Sequence, residues 1–416
     1  KLEGRHPVIG ILRIRIFSIF GGRAIPLRFM VKRRRIALNY RVNYDFSAGI
    51  VIYIQNLIKG FKLLEDSLQP HLTIIYTEDS PIQEVKEIDY PYIDYFKYKP
   101  IRKNFFTKAI NKISRETIGT NILRRYSFPS HADILYPYFD CDENFFLKRR
   151  YYWKPDFQEM YYPQYVSQVE YSYVVENMKR IASNQEYTLI LSSQDSFNDF
   201  EKFFGPFRNR VKILRFISLL PDISQLNPKQ VLMKYGIDKK FFVVSNQFWP
   251  HKNHRLVLEA INKIKEKHTD FVVVFTGKQS TYRDREYFSK LQVYINNENM
   301  KDHVRFIGFI PREDQLVIMK QSVAVIQPSL FEGWSTVIED CKALNQYVLV
   351  GDLAVNQEQV NKNVRFFNRH SADDLAEQMD NLLTHPVKTE SAPYDESIER
   401  FKQNLIDVFE LEHVHS

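Results

Sequence analysis

The chain has 416 residues, too many for a single hydrophobic core and comfortable for two domains of ordinary size. Apolar residues make up 44% and charged residues 26%, a globular balance rather than a disordered one, and no apolar run approaches the roughly 18–20 residues that cross a bilayer. The net charge of +8 suggests nucleic acid only until it is located: residues 1–35 hold ten basic side chains against Glu3 alone, so the rest of the chain is close to neutral and no nucleic-acid partner is expected. Cys141 and Cys341 lie far apart, form neither a disulfide framework nor a metal cluster, and fit a reducing, cytoplasmic setting.

Residues 1–33 read as a basic N-terminal extension. Ile9–Phe20 is apolar but broken by Arg13 and Arg15, which makes a poor secretory core. Leu2-Glu-Gly-Arg5 looks like cloning residue, and Met30 would be a natural start just before the first strand. The alternative is a basic segment that lies on an anionic membrane, giving peripheral contact at its inner face.

From Arg35 the chain alternates β-branched or aromatic runs with amphipathic segments, the order of a parallel α/β sheet. Ile36–Asn39 reads as a strand, followed by a polar loop through Asp45, Ser47 and Gly49, a helix over Ile50–Leu64 and a strand at Leu72–Tyr76. Residues 80–165, rich in Tyr, Phe and Lys, give only a strand at Asp133–Tyr136. A helix over 167–183 and a strand at Tyr187–Leu191 follow.

Two prolines and polar residues at Leu220–Pro228 interrupt the pattern, placing a first domain at 34–222 and a second at 223–388. In the second, strands are expected at Phe241–Ser245, Phe271–Phe275, Val304–Ile307, Val323–Gln327, Tyr347–Val350 and Val364–Phe367. Helices at 254–267, 285–297, 312–321, 336–345 and 371–384 alternate with them, and a last helix within 389–416 would pack back toward the first domain.

The stretch Pro328-Ser-Leu-Phe-Glu-Gly-Trp-Ser-Thr-Val-Ile-Glu-Asp340 leaves a strand, turns at Gly333 and enters a helix. A helix start at the carboxyl edge of a parallel sheet offers N–H groups and partial positive charge to a phosphate. Thr336-x-x-Glu339 has capping-box spacing, which would leave Glu332 and Asp340 free to accept hydroxyl hydrogen bonds from a sugar or a ribose.

Glu332-Gly-Trp…Asp340 resembles the E-x7-E signature of retaining glycosyltransferases of family 4. Asn246–His254, Phe306–Pro311 and Pro328–Gly333 occur in that family's order and spacing. The resemblance implies a GT-B fold: two Rossmann-like doubly wound α/β domains facing each other across a cleft. It implies a nucleotide-sugar donor, a glycan or lipid-linked glycan acceptor, retention of configuration, and no cofactor or metal. Glu332 would contact donor hydroxyls, Asp340 the ribose, and Lys252 the diphosphate. Gln247 stands where the family has an arginine, a gap that Lys278 or Arg312 could fill. Backbone around Phe306–Phe309 would read the base, Ser335 and Thr336 at the helix start would face the diphosphate, and Ala48-Gly49 matches the family's Gly-Gly loop.

On the acceptor side, Trp153-Lys-Pro-Asp156-Phe-Gln158-Glu159 resembles a Pro-Asp-Phe-Gln-His segment of related transferases, with Glu159 in place of the histidine; His131 is the other candidate there. His251-x-x-His254 lacks a third ligand and reads as a helix start, and Asp140-Cys-Asp142 as a surface turn. No nucleophile elbow, phosphate-binding P-loop or dinucleotide fingerprint occurs. The same fold also carries non-catalytic binders of nucleotide sugars or glycans, sugar-nucleotide epimerases and phosphorylases, which stand as the competing readings.

Overall fold

A computed structural model describes residues 32–98, 105–118, 131–138, 149–279 and 286–412. The extension up to Val31 and the Asp140-Cys-Asp142 triplet lie outside them.

The first half runs β1 (Arg35–Tyr40), α1 (Tyr44–Lys62), β2 (His71–Tyr76), α2 (Ile82–Glu87), β3 (Ile93–Lys97), α3 (Phe105–Ile118), β4 (Ile134–Tyr138), β5 (Arg149–Lys154), α4 (Gln158–Tyr161), α5 (Gln168–Ser183), β6 (Thr188–Leu191), α6 (Gln194–Phe204) and β7 (Arg210–Ile213). Its strands form one parallel sheet in the order β3-β2-β1-β4-β5-β6-β7. Ser167 caps α5 in a capping box with Glu170, which is why the sequence pattern marks that start well. Pro137 sits inside a central strand, where the β4–β5 register shifts between Leu135 and Tyr138 and a missing ladder donor is tolerated.

The second half runs α7 (Pro228–Lys234), β8 (Lys240–Ser245), α8 (His254–Ile264), β9 (Phe271–Thr276), α9 (Tyr287–Asn297), β10 (Val304–Gly308), α10 (Arg312–Gln321), β11 (Val325–Gln327), α11 (Thr336–Leu344), β12 (Val348–Gly351), α12 (Ala354–Gln359), β13 (Val364–Phe367) and α13 (Ala372–Thr384). Its parallel sheet is ordered β10-β9-β8-β11-β12-β13. β9 is buried along its whole length, so it reads as a continuous Phe-Val run rather than an alternating one. The two sheets with their crossover helices are the doubly wound pair of a GT-B fold.

One element differs from the sequence pattern in kind. The polar stretch expected as a loop is helical from Tyr44, so Gly49 lies in the second turn of α1, exposed, with nothing within 4 Å of where a Cβ would stand.

The last helix, α14 (Asp395–Phe409), packs on the first half. Phe401, Leu405, Val408 and Phe409 join the core beneath β1, β2 and β4. Phe409 contacts the rings of Phe61, Tyr136 and Tyr151. Lys212 Nζ donates to the carbonyls of Asp407 at 2.9 Å and Val408 at 3.0 Å, placing a cation at the negative end of the helix. Glu410 closes the end in a left-handed conformation and pairs with Arg149. Because Phe409 is fully buried, Phe409→Ala is expected to cost about 3–5 kcal/mol in urea unfolding followed by circular dichroism.

Candidate active site

Loops leaving the carboxyl ends of parallel strands gather on one edge of the sheet, where such folds bind ligands. In the second half these are residues 246–252 after β8, 277–279 after β9, 309–311 after β10 and 328–335 after β11. Gly277 permits their close approach. Its φ is +142°, and a Cβ there would stand 2.2 Å from the Asn246 carbonyl oxygen. Thr276 Oγ1 and Gly277 N–H both donate to the Gly308 carbonyl at 2.9 Å.

Lys252 ends a 3₁₀ turn, Pro250–Lys252, and Asn253 in a left-handed conformation redirects the chain into α8. The Asn253 side chain donates to the Pro328 carbonyl at 3.1 Å and the Arg369 carbonyl at 2.9 Å, tying the lysine turn to the loop that carries Glu332. Lys252 Nζ then meets Glu332 Oε1 at 2.6 Å, with side chains 19% and 8% exposed. The same oxygen accepts from Gln327 Nε2 at 2.6 Å, and Gln327 Oε1 accepts from Asn246 Nδ2 at 2.8 Å.

The start of α11 differs from the capping box expected at Thr336. The N-cap is Ser335, whose Oγ accepts from Ile338 N–H at 3.4 Å. Gln359 holds Ser335 by its backbone, accepting from its N–H at 3.0 Å and donating to its carbonyl at 2.8 Å. Ser335 is therefore occupied as a cap, and the positive end of the helix is offered from Thr336 onward. Glu339 points inward instead of capping: it is fully buried and accepts from Tyr394 Oη, Lys342 Nζ and Gln359 Nε2. Its position one residue beyond the cap's third place turns it about 100° around the helix from where a capping side chain would stand.

Asp340 is 1% exposed, and its Oδ1 accepts from both Arg312 and Ser218. Arg312 thus stands beside the second acidic position of the motif, and its other amino group reaches Gln315 Oε1 at 3.1 Å. Gln247 is half-buried in the turn after β8, while Phe309 is 68% exposed beyond the left-handed Gly308. Among the described residues no three His, Cys, Asp or Glu side chains converge as metal ligands.

Residues 233–404, which contain all of these groups, match the model of the family Glycosyl transferases group 1. Residues 233–404 are the part of the chain that is similar to that family. No curated protein matches the chain in sequence. Among solved structures, Anabaena Alr3699/HepE in complex with UDP-glucose superposes with a TM-score of 0.64 at 15% identity, over 90% of this chain and 99% of that one. Sucrose-phosphate synthase from Thermosynechococcus elongatus gives 0.60 at 12% identity, over 91% and 97%. WaaG, a glycosyltransferase involved in lipopolysaccharide biosynthesis, gives 0.55 at 12% identity, over 90% and 95%. At these identities the likeness is one of fold.

The first half meets the matched segment at the motif itself. A Cβ on Gly333 would stand 2.3 Å from the Pro155 carbonyl oxygen and 2.7 Å from Asp156 Cβ, so only glycine allows this approach. Trp334 Nε1 donates to the Phe216 carbonyl at 2.9 Å. Glu358 reaches back to the first turn of α6, accepting from Gln194 N–H at 3.0 Å and Asp195 N–H at 3.2 Å, and pairs with Arg215 at 2.6 Å.

Asp156 is thus beside Gly333, where its Oδ1 accepts from the Gln158 N–H at 3.0 Å. Gln158 Nε2 is buried without a hydrogen-bond partner. Glu159 is buried and neutralised by Lys154 at 2.8 Å, an internal pair. His131 is exposed at the edge of β4 and is not brought to this group. His254 is fully buried, stacked on Phe248 with ring centroids 4.3 Å apart, and burial lowers its pKa to about 3, so it is a neutral core residue.

Gln327, Asn246 and Gln359 are the members of the site that the sequence reading missed. Gln327 is a fully buried polar residue ending a strand just before Pro328, and that placement was the available signal. Asp199 is a further group near the junction: Tyr161 Oη donates to it at 2.5 Å, and burial pushes its carboxyl up to about 6 against the pull of that bond.

Two tests follow from this geometry. Gly333→Ala should lower the thermal unfolding midpoint, because the motif loop must retreat from Pro155; an unchanged midpoint would contradict the close approach. For Asp199, a folded pKa above the ordinary carboxyl value means stability falls as pH rises from about 4 to about 6 and stays lower above that. Asp199→Asn should therefore raise the thermal midpoint at pH 7.5 and change it little near pH 4.5; equal shifts at both values would contradict the assignment.

Proposed function

We propose that this protein is a glycosyltransferase that moves a hexosyl group from a nucleoside-diphosphate sugar to a glycan or lipid-linked glycan, with retention of configuration. The observation that carries the reading is the Lys252–Glu332 pair at the carboxyl edge of the second sheet, inside the segment matching the glycosyl transferases group 1 family. A neighbour of the same fold was solved with UDP-glucose, which supports a nucleotide-sugar donor, and the lipopolysaccharide role of WaaG supports surface polysaccharide assembly on the cytoplasmic side of a membrane.

In this reading each cation of the site rests on a carboxylate until the donor arrives. The diphosphate takes Lys252 from Glu332, and the sugar hydroxyls replace the ammonium as hydrogen-bond donors to Glu332. Arg312 and Asp340 exchange in the same way, Asp340 toward the ribose hydroxyls and Arg312 toward the phosphate that Gln247 cannot neutralise. The first turn of α11 from Thr336 adds its N–H groups. Gly49 stands on the opposite half with open space for a phosphate-bearing ligand. Backbone at Phe306–Phe309 reads the base. As the glycosidic bond breaks, negative charge grows on the diphosphate beside fixed cations and dipoles, which lowers the barrier without a metal. Glu332 orients the oxocarbenium-like ring. Asp156 and Gln158, across the Gly333 contact, face the acceptor.

A non-catalytic binder of nucleotide sugars or glycans is the second reading, favoured by Gln247 and by the internal Lys154–Glu159 pair where related transferases have a histidine. Turnover screening against UDP-, GDP- and dTDP-sugars separates the two. The transferase reading expects turnover with at least one donor and a loss on the order of 10²–10³-fold in kcat for Lys252→Ala and Glu332→Ala. Donor binding without any transfer or hydrolysis would establish the binder instead.

A further inference from the structure

Gln327 ends β11, a buried strand between β8 and β12, where an apolar side chain is the ordinary occupant. It is fully buried, and both ends of its amide are bonded. Because β8 is the neighbouring strand, Asn246 emerges beside it, and Asn246 Nδ2 donates to Gln327 Oε1 at 2.8 Å. That bond turns the nitrogen end toward the motif. Gln327 Nε2 donates to Glu332 Oε1 at 2.6 Å and to Ser335 Oγ at 3.1 Å. A flipped amide would set its oxygen against the carboxylate and its nitrogen against the Asn246 donor. One nitrogen therefore joins the motif carboxylate to the N-cap of α11.

Among the described residues every donor to Glu332 reaches Oε1, with Lys252 Nζ and Gln327 Nε2 each at 2.6 Å. A diphosphate acts on these two donors differently. An ammonium can exchange its carboxylate for a phosphate, whereas a neutral amide already held by Asn246 and Ser335 has little to gain by moving. We propose that Gln327 is the positioning residue of the donor site: after Lys252 turns to the diphosphate, its amide keeps hold of Glu332 Oε1 and leaves Oε2 to receive a hydroxyl of the sugar. This role presupposes Glu332 as the receiver of donor hydroxyls, as proposed above, and acts through that carboxylate without touching the reacting atoms. Without the amide, a carboxylate whose side chain is 8% exposed would lose its last protein donor as the ligand arrived, a state that is unfavourable and poorly oriented.

The experiment is calorimetric titration of the full chain with UDP-, GDP- and dTDP-sugars, carried forward with the one that binds the wild type most tightly. Gln327→Met, close in size but without a donor, should weaken that conjugate about tenfold or more. In a Glu332→Ala background the same change should add about twofold at most, because the group it serves is gone. Gln327→Glu keeps an acceptor for Asn246 and, while protonated, a donor for Glu332. Two carboxyls in contact hold a shared proton to higher pH than an isolated one. This variant should therefore bind within about twofold of the wild type at about pH 5 and fall about tenfold or more behind it at about pH 8. That comparison uses one protein, shown by circular dichroism to be folded at both values, so it stands even where Gln327→Met is unstable. A wild type that binds none of the conjugates sinks the donor reading and this role together. A wild type that binds one, with its affinity intact in Gln327→Met, sinks this role alone. So does a full additional loss in the Glu332→Ala background, or a deficit of Gln327→Glu that is the same at both pH values.

Discussion

Two carboxylates and two cations share the carboxyl edge of the second sheet, and little of that charge is open to water. Lys252 and Gln327 meet on one oxygen of Glu332, and Arg312 and Ser218 meet on one oxygen of Asp340. A buried charge without a partner costs several kcal/mol, so removing either member of such a pair is far more disruptive than its modest net contribution suggests. The pairs therefore constrain everything near them. Asn253 must take a left-handed turn to bring Lys252 to Pro328, Gln327 must be buried at the end of β11, and Ser335 must be held by Gln359 so that α11 starts where it does.

The junction with the first half obeys a steric constraint instead. Gly333 touches the Pro155–Asp156 backbone at a distance that excludes any side chain, one residue from Glu332. Glu358 caps α6 from the opposite half, and Tyr394 bridges Ser218 and Glu339 as the chain crosses back toward α14. Phe331 adds ring contacts with Tyr161 and Tyr162, and Trp334 packs on the core of the first half, so polar and aromatic contacts together fix the position of the motif loop.

The sequence made the second sheet legible because its strands are buried on both faces and its helices carry regular apolar spacing; β9 and α8 show both patterns plainly. It was less informative where burial and polarity diverge. β5 begins with Arg149 and Arg150 and carries its core in Tyr151 and Tyr152, β7 is short and partly exposed, and α3 wears its apolar residues outward. Each of these lay in or beyond the stretch that periodicity left unassigned. In the site, Lys252 and Glu332 were visible as a motif 80 positions apart, and the fold brings them within 2.6 Å. The cap was not: Ser335 and Thr336 both suit an N-cap, and only the backbone grip of Gln359 decides between them. Gln327 was hidden because one buried amide looks like any other strand end.

The account turns on Lys252 and Glu332 holding each other until a diphosphate-linked sugar takes both. Calorimetric titration of Glu332→Gln with the nucleoside diphosphate and its sugar conjugate tests this directly. The account predicts that the variant binds the diphosphate as tightly as the wild type or more tightly, because Lys252 has been released, while its preference for the sugar conjugate disappears. Equal loss of both affinities, or a preference left intact, would contradict it.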